Sequence, residues 1–433
     1  MNDELQRFVE SHPRSAELAE SGRRHLLAGV PMPWMTRWPG AFPVHVASAD
    51  GARFVDVDGI EYVDFCLGDT GAMTGHGGGG LAAAVGRSTT MLPSEDAAWV
   101  ADELHRRFGM AKWQLTTSAT DANRFVLRFA RHLTGRPKIA VMDWCYHGTV
   151  DETLAILDAG GRVISRPGAV GPQVDPSVTT RVVPFNDLDA LDAALAHGDV
   201  AALLMEPALT NIGIVLPRPG YHEAVREITR RHGVLLIIDE THTISAGPGG
   251  CTQAWGLDPD IVVIGKPIGG GFPVATYGVT EEIALALDPA LHGHDADVGG
   301  VGGTLAGSAM ATAAIRATLS TTLLDADYER MVPLATRWTA GVAGAIDAHG
   351  LDWSVQQLGC RAEYWFCPLP GNGADAAAAV DDELDAFMHL WALNRGILMT
   401  PFHNMALLSP AHTDADVDVH TTVFTEALAA LTG

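Results

Sequence analysis

The sequence predicts an α/β protein built on a largely parallel β-sheet, with a smaller α+β lobe formed by the chain ends. Three observations carry that reading. Short apolar runs of strand length, Ile139 to Asp143, Ala201 to Met205, Val234 to Ile238 and Ile261 to Ile264, alternate with amphipathic stretches of helical period. The segments before and after this region have a different pattern. At 433 residues the chain is also too long for one compact core and suits two structural units.

Taken in order, the start "MNDELQRFVESHPRSAELAESGRRHLL" is charged and helical in pattern. It lacks the basic-then-apolar order of a secretory signal, which places the chain in the cytoplasm. "FVDVDGIEYVDF" joins two β-like runs at Asp58-Gly59, a hairpin signal, so residues 1–70 are expected to form an N-terminal arm and a small antiparallel element. Residues 71–318 form the expected large domain, opening with the low-complexity "GHGGGG" at 75–80. In "TTSATDANRFVLRFARHLTGR", Ala122, Phe125, Val126, Phe129, Ala130 and Leu133 recur at three- and four-residue steps. Ser118 and Thr120 stand at its start as caps and Gly135 stops it, so the stretch predicts a helix. "HEAVREITRRHG" predicts another, closed by Gly233. From 319 to 433, amphipathic stretches flank the β-like "AEYWFCPL", and this part reads as a C-terminal α+β domain.

The 52 acidic against 28 basic residues give a formal charge of -24, which repels phosphate backbones and anionic lipid. Neither nucleic acid nor a membrane is an expected partner, and no apolar stretch nears the roughly 20 residues a bilayer span needs. Five scattered cysteines, Cys66, Cys145, Cys251, Cys360 and Cys367, show no paired metal-ligand spacing. They read as free buried thiols, and no metal is expected. Arginine outnumbers lysine 25 to 3, so each lysine raises the question of what arginine cannot do there.

In parallel α/β sheets, ligands bind beyond the carboxyl ends of the strands. Three of the four runs deliver an ionisable residue at that end: "ALLMEP" gives Glu206, "LLIIDETH" gives Asp239 and "VVIGK" gives Lys266. The fourth leads into a loop carrying Tyr146 and His147. Each acid alone also reads as an ordinary turn residue, but the set converges on one cleft. Small residues before the first turn of the Ser118 helix leave backbone N–H groups open to an anion, although simple capping explains them equally well. A phosphate site, a lysine on a glycine-rich turn, a strand-end aspartate and an aromatic loop together meet the needs of pyridoxal phosphate. Its aldehyde requires a primary amine, which arginine cannot supply, and its ring nitrogen requires a carboxylate. Lys112 and Lys138 stand at the starts of apolar runs and fit less well.

These residues resemble the class III aminotransferases, fold-type I pyridoxal phosphate enzymes, in the branch near glutamate-1-semialdehyde aminomutase. "TSATDAN" is similar to the family's phosphate turn, "YHG" to its aromatic loop, "IIDET" to its aspartate strand end, and "GKPIGGGFPVATYG" to its Schiff-base lysine segment. "GTLAGSAMATAA" resembles the stretch whose threonine reaches the other subunit's phosphate. The resemblance implies a mainly parallel, seven-stranded type of sheet flanked by helices. It implies Lys266 as the Schiff-base lysine, Asp239 on the ring nitrogen and Tyr146 stacked on the ring, with His147 beside it. Ser118, Ala119 and Thr120 are then the phosphate ligands, joined by Thr304 from the other subunit of a homodimer with shared active sites. Glu206 matches an acid on the ring-hydroxyl side. Three departures stand out: Ala119 replaces a glycine, Thr241 a valine or isoleucine under the ring, and His242 a glutamine or methionine. His242 is left with two readings, a hydrogen bond to the ring oxygen or simple space filling.

The reaction the resemblance implies is amino transfer from a small-molecule donor to a carbonyl acceptor, with Lys266 as the proton-moving base. Trp34, Arg37 and Arg361 are the candidate substrate residues, and each reads equally as packing or as an ion pair. The alternatives are an intramolecular aminomutase and an amino acid racemase. The arm "AGVPMPWMTRWPG" departs from the arginine-bearing pattern of the semialdehyde aminomutases, which favours transfer to an external acceptor.

Overall fold

The computed structural model describes residues 1–170, 174–292, 298–401 and 403–433. The chain divides into two compact units, one of Met1–Gly77, Ala326–Leu369 and Ala379–Gly433, the other of Gly78–Asp325 and Pro370–Ala378.

The second unit is built on a seven-stranded sheet. Its strands in chain order are β1 (Lys112–Thr116), β2 (Lys138–Met142), β3 (Thr180–Val183), β4 (Val200–Met205), β5 (Leu235–Asp239), β6 (Ile261–Ile264) and β7 (Ala275–Val279). In space they run β1-β7-β6-β5-β4-β2-β3. All neighbours are parallel except at β7, which is antiparallel to both β6 and β1. The four runs expected from the sequence are β2, β4, β5 and β6, each placed within one residue at either end. They are apolar throughout because helices cover both faces of such a sheet. Residues 200–205 and 261–264 are wholly buried.

Register decides where the functional groups fall. Met205 pairs with Ile238 and Asp239 with Val263. Glu206 and Asp239 therefore leave the sheet at one edge and at one level, with Lys266 three residues beyond it on the same edge. Helix α1 (Ala119–Thr134) follows β1, starts at the Ser118 cap and stops at Gly135, which takes φ +67°. Its apolar stripe, Ala122, Phe125, Val126, Phe129 and Ala130, is buried as the spacing predicts.

The first unit contains the expected hairpin, Arg53–Asp56 against Glu61–Asp64, extended by Val46–Asp50 and by Ile397–Leu398. Phe8 from the first helix packs with Phe54, Tyr62, Leu390 and Leu393, so chain start and chain end share one core. A second, three-stranded sheet holds Ser354–Leu358, Arg361–Trp365 and Met405–Leu407. Four cysteines are buried, while Cys367 is partly exposed. Among the described residues no helix is long and apolar enough to cross a membrane.

The last glycine of "GHGGGG" has a packing role. Gly80 lies in a helix, Gly79–Ala84, and a Cβ there would come within 2.3 Å of the Gly269 carbonyl oxygen and 2.6 Å of Thr318 Oγ1. The contact is with backbone of the turn that follows Lys266, so it cannot relax by rotating a side chain. Gly80→Ala is expected to destabilise the fold by about 2 kcal/mol, as overpacking does. Urea unfolding of the variant checks this, and an unchanged midpoint would show that the turn yields.

Candidate active site

The carboxyl edge of the sheet brings the chemistry together. Asp239 closes β5 and is 5% exposed. Three groups from three elements hold its carboxylate. His147 Nδ1 lies 2.9 Å from Oδ2, Asn123 Nδ2 donates to the same oxygen at 2.9 Å, and the Thr241 N–H donates to Oδ1 at 3.1 Å. Burial alone would raise this carboxyl; the His147 hydrogen bond and charge, aided by Asn123, hold it below the usual carboxylate range. The same pairing acts on His147. Burial would lower the imidazole, but Cys145 and Asp239 outweigh it and raise it to about 10.

Lys266 follows β6 on a turn that Gly265 makes possible. A Cβ on Gly265 would lie 3.1 Å from the Cβ atoms of both Ala119 and Ala275, so the lysine turn sits tight against the start of α1. Lys266 itself has φ +51°, a left-handed conformation that costs a non-glycine residue about 1 kcal/mol and marks a position fixed by its surroundings. Its Nζ lies 2.5 Å from His242 Nε2.

At the start of α1, Ser118 Oγ accepts from the Asp121 N–H, and the Thr117 and Ser118 hydroxyls donate to Asp121 Oδ2 at 2.6 and 3.2 Å. The Ala119 and Thr120 N–H groups carry no hydrogen bond among the described residues. An anion held here rests on those N–H groups and the helix dipole. Ala119 is a first-turn residue without positive φ, so the alanine in place of glycine brings no strain. Thr120 Oγ1 accepts from the Thr149 N–H at 3.0 Å. Gly148, at φ +79°, lets the Tyr146-His147 loop lie on this helix, since a Cβ there would meet Thr120 Oγ1 at 2.2 Å.

Glu206, just past β4, is buried, and burial pushes its carboxyl up to about 7 against the pull of His147 and of the Thr210 hydrogen bond. Thr210 Oγ1 donates to Glu206 and lies 2.8 Å from His242 Nδ1. Tyr146 is half-buried in its loop. Thr304 lies exposed in a turn, and no hydrogen bond joins it to the cluster among the described residues. The substrate candidates Trp34, Arg37 and Arg361 belong to the first unit. Trp34 and Arg37 are exposed on a short 3-10 turn, whereas Arg361 is fully buried, with Nη2 donating to Thr70.

The donor set fits pyridoxal phosphate: open N–H groups for phosphate, a buried carboxylate for the ring nitrogen, a primary amine for the aldehyde. One further observation supports the fit. Thr241 Oγ1 is buried beside Asp239 without a hydrogen-bond partner of normal geometry among the described residues, which leaves it able to meet a bound group. Sequence reasoning missed Asn123, Thr210 and Asp121. Asn123 was detectable as a polar residue beside the apolar stripe of α1; it is fully buried.

Comparison with known proteins agrees. The class-III aminotransferase family model matches residues 34–332. A glutamate-1-semialdehyde-aminomutase from Pseudomonas aeruginosa PAO1, solved also in complex with PMP, is 49% identical over 99% of this chain and 97% of that one, with a TM-score of 0.97. An omega-transaminase from Sphaerobacter thermophilus is 29% identical over 97% of this chain and 98% of that one, TM-score 0.87. The glutamate-1-semialdehyde 2,1-aminomutase of Symbiobacterium thermophilum is 33% identical over 98% of this chain and 99% of its own length. Fold and relatives define a fold-type I, pyridoxal-phosphate-dependent enzyme of the transaminase type. The chain belongs to the class III aminotransferase family.

Glu206 gives the site a pH signature. Unfolded, it ionises near its ordinary 4.5; folded, near 7. The stability held by its neutral form is full below the lower value and is lost as pH rises through the upper one. Glu206→Gln should flatten the stability curve across that window. Urea midpoints at about pH 5 and about pH 8 check it; parallel falls in both proteins would show that Glu206 ionises normally in the fold.

Proposed function

We propose that the chain catalyses an aminomutase-type reaction, moving an amino group between neighbouring carbons of one small amino-carbonyl substrate, with glutamate 1-semialdehyde as the first candidate. The observation that carries this is the 49% identity, across nearly the whole of both chains, to the Pseudomonas aeruginosa aminomutase. It favours the alternative raised by the sequence over transfer to an external acceptor, because the departure in "AGVPMPWMTRWPG" is confined to a short arm.

When bound, pyridoxal phosphate supplies an aldehyde that takes up amino groups and a protonated ring that draws electrons from the bond being broken. In this proposal Asp239 holds the proton on the ring nitrogen, and its low pKa, set by His147 and Asn123, keeps it anionic for that purpose. Lys266 is the one lysine at the carboxyl edge of the sheet, since Lys112 and Lys138 open their strands. Its primary amine can bond an aldehyde and, when free, take and return a proton. The Ala119 and Thr120 N–H groups hold the phosphate, and Tyr146 offers a ring face. Exposed Thr304 serves the phosphate site of a second copy in a homodimer.

Three outcomes are expected. Lys266→Ala removes the visible absorbance band given by cofactor joined to lysine but leaves the protein folded by circular dichroism; a band that persists means another lysine. Asp239→Asn retains cofactor and lowers turnover by orders of magnitude, and normal turnover would sink its role. Mixed with glutamate 1-semialdehyde, amines, or α- or β-amino acids and no acceptor, the purified protein should isomerise its substrate and recover its spectrum unaided. Stoichiometric release of a carbonyl product with the cofactor left in the amine form would instead establish an external-acceptor transaminase.

A further inference from the structure

Lys266 does not stand alone at the end of its strand. A continuous line of hydrogen-bonding groups runs from its Nζ to a buried acid on β4. His242 Nε2 lies 2.5 Å from Lys266 Nζ, His242 Nδ1 lies 2.8 Å from Thr210 Oγ1, and Thr210 Oγ1 meets Glu206 Oε2. The Thr210 N–H adds a longer bond to Glu206 Oε1 at 3.4 Å. Glu206 and Thr210 are 4% and 1% exposed, so this end of the line is shut from water, and His242 is 8% exposed. Every member can both give and accept a hydrogen bond in one of its protonation states.

We propose that Glu206, Thr210 and His242 form a proton relay to the Lys266 amine, with Glu206 as its buried proton store. It rests on the reading of Lys266 as the reactive amine. In one setting the Glu206 carboxylic acid donates to Thr210 Oγ1, the Thr210 hydroxyl donates to His242 Nδ1, and His242 Nε2–H donates to the lone pair of a neutral Lys266. In the other, the Lys266 ammonium donates to His242 Nε2, His242 Nδ1–H donates to Thr210, and Thr210 donates to the Glu206 carboxylate. Passing between them moves three protons by one hydrogen bond each. The net result is one proton shifted from Glu206 to Lys266, with His242 changing tautomer and no charge left on it.

The relay answers a need of the chemistry. A primary amine attacks an aldehyde only when neutral, so an acceptor linked to Lys266 through His242 and Thr210 lets an ammonium lose its proton without recourse to bulk water. Burial sets Glu206 to ionise near 7, where both its forms are populated at neutral pH. The other titratable groups facing it are His147, which favours its anion, Asp239, which opposes it, and Cys251, whose thiol is pushed up by burial, then by Glu240 and least by Glu206.

The test uses full-length holoenzyme mixed with an amino acid donor, which frees the Lys266 amine, and stopped-flow detection of the change in the cofactor's visible band that follows. Thr210→Val keeps the volume and cuts the line, while Thr210→Ser restores the hydroxyl. His242→Gln keeps a hydrogen bond to Lys266 but has no second nitrogen that changes tautomer. The expected result is a tenfold or slower response of the band in Thr210→Val and in His242→Gln, with Thr210→Ser close to the parent. Equal rates in the valine and serine variants would overturn the relay, as would a His242→Gln rate equal to the parent. The Lys266 reading fails separately, by a band that survives Lys266→Ala.

Discussion

The constraint on which this site depends is the buried carboxylate of Asp239. A carboxylate taken out of water is strongly destabilising unless charge and hydrogen bonds replace the water it has lost. Here the replacements come from the loop after β2, from α1 and from the backbone just past β5. Asn123 ties two of them together, since its amide also donates to the His147 carbonyl at 3.2 Å. Satisfying one side chain therefore fixes the Tyr146-His147 loop, α1 and the strand end in one geometry. The tight approach at Gly148 follows from the same requirement.

The neighbouring acid takes the opposite task. Glu240 points to the other side of the strand, as alternation demands, and is fully buried. It accepts from the Thr243 hydroxyl, the Cys251 N–H and both the N–H and hydroxyl of Thr252. A Cβ on Gly250 would lie 2.2 Å from its Oε2, so the chain passes directly over it. Four donors leave Glu240 no capacity for chemistry. One dipeptide thus splits into an acid that faces the cleft and an acid that anchors the following loop, and only the strand's period separates the two roles.

How much of this was readable in advance follows from the same physics. The strands β2, β4, β5 and β6 are central and covered on both faces, so each is a continuous apolar run that stands out in the sequence. Strand β1 lies at a sheet edge, where only some positions are buried, and "KWQLT" carries no such run. Strand β7 is fully buried but reads "ATYGV", where Gly278 interrupts the pattern because Trp113 and Met110 pack against its bare Cα. Lys266 and Asp239 were legible because each interrupts the chain at a strand end. Thr210 was not, because it reaches Glu206 and His242 only after a loop returns it to the edge of the sheet, and loop closure leaves no periodic trace.

The use of cations closes the argument. Where this protein needs a fixed positive charge it has arginine, whose fork matches a carboxylate at two points. Arg226 meets both oxygens of Asp260 at 2.7 Å, and Arg181 meets those of Asp199 at 2.7 and 2.8 Å. Lys112 and Lys138 make looser, single-point pairs at 3.8 and 3.6 Å. At Lys266 a polar neighbour of the Nζ is the imidazole of His242. A carboxylate in contact would hold the amine as an ammonium, which can neither attack an aldehyde nor accept a proton. An imidazole imposes no such charge, and the two acids of the cleft are held by other groups, Asp239 by His147, Asn123 and the Thr241 N–H, and Glu206 by Thr210.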